Sequence, residues 1–150
     1  MASWSTHKFG SSLQMTEFLN GAILGNQNVH NDVDVDGLTF IFEVNGGGNT
    51  TVTFAPPKSR SWTPAEIVAL INVAEAGLAW IRPVTQPGYP INRRIKLEKD
   101  LVSLEVKNGT ANALLGFVAA TTADYVPDTE VKGTIAVPGE QDTWLLMRYA

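Results

Sequence analysis

The sequence predicts an α+β fold: one antiparallel, β-rich domain with a single main helix, residues 63–78, between two strand pairs, plus an extended N-terminal arm. Three observations predict it. A capping box opens a stretch of helical periodicity at Thr63. Runs rich in β-branched and aromatic residues flank that stretch on both sides. The first 31 residues also differ in composition from the remaining 119, so the chain divides into an arm, 1–31, and an assembly domain, 32–150.

The helix has the clearest signal. Thr63 suits the N-cap, Pro64 the first turn, and Glu66 completes the T-x-x-E box. Ile67, Leu70, Ile71, Ala74 and Leu78 then follow along one stripe, as an amphipathic helix requires. Upstream, LTFIFEV and TTVTFA surround a glycine-rich turn at Gly46, Gly47 and Gly48, which reads as a hairpin closed off by Pro56 and Pro57. Downstream, Trp80 and Ile81 start an extended piece, and RPVTQPGYP is a loop by its prolines. INRRIKLEKD and LVSLEVKN read as two further strands. NGTANALLGF reads as a turn and a short helix, and KGTIAV and TWLLMRY as closing strands.

In the arm, MASWSTHKFGSS is small and polar with isolated aromatics, and LQMTEFLNGAILG suits a short helix weakened by Gly21 and Gly25. A polar segment with a few apolar anchors suits an arm that orders on a partner, with Trp4, Phe9 and Phe18 as the anchors. An N-terminal strand and turn packed on its own domain fits the same residues equally well.

Bulk properties narrow the function. With 44% hydrophobic and 17% charged residues among 150, the chain belongs with folded globular domains. A net charge of −4 opposes duplex nucleic acid as a partner, since phosphate binding needs a concentrated basic face. The only basic cluster, Arg93, Arg94, Lys96 and Lys99, is diluted by Glu98 and Asp100 and reads as a solvated strand face. The absence of cysteine excludes disulfides, thiolate catalysis and cysteine-based zinc sites. No apolar run approaches the roughly 18 residues of a membrane span, and the N-terminus lacks a signal-peptide core, so no membrane is expected as a partner.

No catalytic constellation is legible. His7 and His30 lie in separate segments without metal-ligand spacing. His30 beside Asp32 reads as a linker histidine rather than a general base. There is no G-x-S-x-G, and the glycine run lacks the lysine of a phosphate loop. Asp32, Asp34, Asp36, Gly37 and Glu43 do match the spacing of a calcium loop. The context opposes it: LTFIFEV has strand character where such a loop enters a helix, and Val33 and Val35 alternate with the aspartates as on a half-buried edge strand. The expectation is therefore no metal, no cofactor and no enzyme. The four tryptophans are scattered, which favours packing over a sugar-stacking platform.

Residues 38–117 resemble a module of structural proteins in tailed bacteriophages. The resemblance is carried by GLTFIFEV and TVTFA, the helix opening TPAEIVALIN, the strands IKLEKD and LVSLEV, and the closing NGTANALLGF, in that order. It covers a little over half of the chain and brings no catalytic residues. It implies a non-enzymatic virion component assembled in the host cytoplasm, first of all a capsid decoration, cement or neck subunit. A tail-tube or baseplate protein is the alternative within that class, and a calcium- or sugar-binding module the alternative outside it. The implied partners are other capsid or tail subunits, with the chain itself a homo-oligomer or bound to a lattice.

Overall fold

The structure is a computed structural model that describes residues 3–9, 12–84, 92–100, 102–126, 131–136 and 143–149. The elements are β1 (Ser3–Phe9), α1 (Ser12–Asn20), β2 (Ile23–Leu24), β3 (Thr39–Val44), β4 (Asn49–Thr53) and α2 (Pro64–Ala74). They continue as β5 (Ala79–Val84), β6 (Asn92–Leu97), β7 (Ser103–Val106), α3 (Asn112–Leu115), β8 (Thr122–Asp124), β9 (Val131–Ala136) and β10 (Thr143–Tyr149). The fold is α+β and mostly β, with the main helix between the antiparallel pairs β3–β4 and β5–β6.

Among the described residues all strand pairing is antiparallel, in three sheets ordered β4-β3-β7-β8, β2-β6-β5 and β1-β10-β9. The first two share one core. β3 turns Phe40 and Phe42 inward, β6 contributes Ile95 and Leu97, and α2 adds Ile67 and Ile71, all essentially inaccessible to water. Phe40 stacks at 5.1 Å on Phe117, just beyond α3, and Phe54 meets Trp62 edge-on at 5.5 Å. Burial of these aromatics supplies most of the drive to close the sheets on the helix.

The capping box forms as expected. Glu66 N–H donates to Thr63 Oγ1 at 3.2 Å, and Thr63 N–H donates back to Glu66 at 2.9 Å. The helix ends at Ala74 rather than at residue 78. Glu75 is already extended, and Gly77 takes a left-handed φ of +73° that turns the chain into β5. Leu78 still reaches the core, so the apolar stripe outlasts the helix that it marks. In the β3–β4 hairpin, Asn45 and Gly46 both have positive φ, the twist that suits a tight turn between right-twisted strands.

Two features differ from the sequence expectation. Val33 and Val35 are buried and Asp32 and Asp34 exposed, as alternation requires, yet among the described residues the run forms no ladder and its one bridge is Val33 to Trp62. A left-handed Asp32 and the turn at Gly37 leave it too short to pair further. IKLEKD and LVSLEV do not pair with each other; β6 joins β5 and β2, whereas β7 lies between β3 and β8. Within residues 1–31, where an arm and a strand packed on its own domain were equally expected, Ser3–Phe9 pairs along its length with Thr143–Tyr149, and Ile23–Leu24 pairs with β6.

Candidate functional site

The residues of the calcium-loop match are not brought together. One oxygen of Asp36 accepts from Lys58 N–H at 2.9 Å and from the Trp62 indole N–H at 3.1 Å. Those bonds, led by the Lys58 amide, hold its carboxyl below the usual aspartate range and tie residue 36 to the loop before α2. Glu43 sits on β3 facing Lys107, 3.6 Å away, while Lys107 lies closer to Glu105 at 2.9 Å. Glu105, then Glu43, raise the Lys107 ammonium above its ordinary value. Among the described residues no group of three or more His, Asp or Glu is placed to hold a metal ion.

Of the expected anchors, Phe9 and Phe18 lie against each other, ring centroids 5.3 Å apart, so β1 and α1 use them partly on one another. Phe18 remains 40% exposed. Trp4 lies on β1 opposite Arg148, and its side chain, like that of His7, lies outside the described ones. His30 N–H donates to Asn28, and no base pair with Asp32 forms.

The basic cluster is only partly a solvated face: Arg93 is exposed and Arg94 and Lys99 are half-buried, but Lys96 is covered. Lys96 is buried, and it bridges Glu17 of α1 at 3.4 Å and Glu98 at 3.2 Å. Arg82 of β5 donates to both Glu17 oxygens, at 3.1 and 2.8 Å, and Asn20 reaches Glu98 at 3.4 Å. Strand alternation puts Ile95 and Leu97 on the core side, and α1 then covers the charged side. Lys99 pairs with Glu75 beyond the end of α2. Sequence reasoning missed this network because Glu17 and Arg82 are 65 residues apart. The only local signal was a strand with charges on one face and full-sized apolar residues on the other.

The surface of α2 is the main apolar feature among the described residues. Its inner face carries Ile67 and Ile71, but the outer face is also uncharged: Ala65, Ala69 and Ala74 are exposed, and Val73 is 82% exposed. Beside it runs an open groove of about 380 Å³ formed by Ala55, Pro56, Pro57, Trp62, Leu70 and Val73. The charges at its rim are engaged with one another. Glu66 pairs with Lys58 at 3.1 Å and Arg60 at 2.7 Å, and Lys58 sits 4.5 Å over the Trp62 ring. The Arg60 bond first, then the Thr63 amide, push the Glu66 carboxyl far below its usual range.

Comparison with known proteins adds no assignment. No family model matches the chain, and neither the curated proteins nor the solved structures contain a match. No helix among the described residues is long and apolar enough to cross a membrane.

Proposed function

We propose that this protein is a non-enzymatic structural component of a tailed-bacteriophage virion, a capsid decoration, cement or neck subunit. The observation that carries the reading is the two-sided apolar character of α2. A helix that buries Ile67 and Ile71 inward while presenting Val73 and three alanines outward has a face suited to cover by another protein. The adjoining groove, with its charges internally paired, suits an uncharged apolar insertion. The outer strands β4 and β8 of the four-stranded sheet offer backbone edges to a neighbour's strand. The motif order across residues 38–117 supplies the virion context, and its TPAEIVALIN segment is the helix with the exposed face.

The test is Val73→Glu, a change at a solvent-exposed position that leaves the melting temperature unaltered. Under this proposal the variant is folded but no longer incorporated into particles. Normal incorporation of Val73→Glu would remove the observation on which the reading rests.

A further inference from the structure

A second surface has a different chemistry. Trp80 on β5 is 51% exposed, yet it is not loose: its indole N–H donates to the backbone carbonyl of Glu98 at 2.9 Å. That bond fixes the ring on the sheet and leaves a broad aromatic surface in contact with water. The ring lines an open cleft of about 460 Å³ together with Ala76, Gly77, Glu98, Lys99 and Asp100. The small side chain at 76 and the absence of one at 77 keep the space over the ring clear.

The charges around the cleft balance except for one. Glu98 is matched by Lys96, and Lys99 by Glu75. Asp100 is exposed and forms no hydrogen bond or ion pair with any described residue. The cleft therefore combines a flat, immobilised π surface with one uncompensated carboxylate. A cation is attracted to both, through the ring quadrupole and through the charge. A guanidinium satisfies both at once, because its plane stacks on the indole while its N–H fork is directed at the carboxylate.

We propose that the Trp80 cleft is a docking site for an arginine side chain presented by a partner protein. The surface differs from the apolar groove beside α2 in position and in chemistry, and it stands independently of the virion reading. Trp80 is the stacking platform and Asp100 the charge partner. Glu98 acts through its backbone carbonyl, which positions the ring.

The experiment uses the full chain labelled with ¹⁵N and follows the indole N–H signals of its four tryptophans by NMR. Loss of one signal in Trp80→Phe assigns that of Trp80. N-acetyl-arginine amide is then titrated into the wild-type protein to about 100 mM, the range a single exposed cation–π contact with one carboxylate demands. The neutral isostere N-acetyl-citrulline amide, N-acetyl-lysine amide and methyl glucoside are titrated in parallel.

The expected result is a progressive shift of the Trp80 signal with the arginine probe, at least about threefold larger than with the other three. Asp100→Asn, at an exposed position that the fold does not use, should reduce that shift severalfold. An equal response to citrulline would overturn the proposal, as would an unchanged response in Asp100→Asn. A lysine response equal to that of arginine would overturn the guanidinium assignment, and a shift with the glucoside alone would make the cleft a sugar platform instead.

Discussion

Replacing Glu17 by glutamine tests what holds α1 against the sheet. None of the described α1 side chains is fully buried, and Leu13 and Phe18 are 46% and 40% exposed, so apolar contact alone holds the helix weakly. Its main polar tie is Glu17, only 12% exposed, facing Arg82 and Lys96 at 13% and 10%. Glutamine keeps the shape and one acceptor oxygen but removes the charge. Among the described residues Lys96 then keeps only Glu98, and Arg82 loses its carboxylate partner. Removing one partner of a buried ion pair costs about 3–5 kcal/mol, and residual solvent contact here places the cost near the lower figure, about 3 kcal/mol. If that energy holds α1 locally, its opening becomes about a hundredfold more frequent, at one decade per 1.4 kcal/mol. Amide hydrogen exchange across Ser12–Asn20 measures this directly, with the α2 amides as internal reference. Acceleration of α1 by less than about threefold would refute the reasoning. Equal acceleration of α1 and α2 would show that the network belongs to the global fold rather than to the helix.

Further expectations concern the loop before α2, the end of α3 and the aspartate run. Glu66 has a strongly lowered carboxyl, so its stabilising share is complete above its unfolded value near 4.5 and is lost as pH falls through the folded value. Glu66→Gln should therefore melt below wild type at pH 7, with the difference shrinking between about pH 5 and pH 2 in thermal scans. Gly116→Ala should cost more than about 2 kcal/mol in urea denaturation, because φ is +84° and the new methyl would lie 2.3 Å from the Gln27 nitrogen. Neither calcium nor a chelator should move the melting temperature, since Asp36 is engaged with Lys58 and Trp62 and Glu43 faces Lys107. A calcium-dependent rise would restore the loop reading for Asp32, Asp34, Asp36 and Glu43.

The parts of the fold legible in the sequence were those encoded by neighbouring residues. Thr63 and Glu66 specify the start of α2 across three positions, and Gly46, Gly47 and Gly48 mark the turn of a hairpin whose strands adjoin them. The end of α2 was harder to read because Leu78 keeps helical spacing after the backbone has turned at Gly77. Periodicity reports which side chains reach the core; it does not report the path of the chain between them. Partner choice among strands depends on long-range packing, which is why β6 and β7, adjacent in sequence, enter different sheets. The same limit applied to the surface features. Val73 in its helical context gives no sign that the face it occupies is uncovered. The half-exposed ring of Trp80 and the unpaired carboxylate of Asp100 become a site only when the strand end and the turn after α2 lie side by side. The Asp32–Asp36 run shows the reverse case, in which a complete motif match is followed by a strand where a calcium loop would enter a helix.

The central claim is that this chain is a stoichiometric part of a virion. The most direct measurement is its copy number in particles purified by density gradient from a culture that carries its gene, with heads and tails separated before quantitative mass spectrometry. The account predicts that the protein is present in the head or neck fraction in a fixed ratio to the major capsid protein. Its recovery in the tail fraction would move it to the tube or baseplate, and its absence from both fractions would contradict the account.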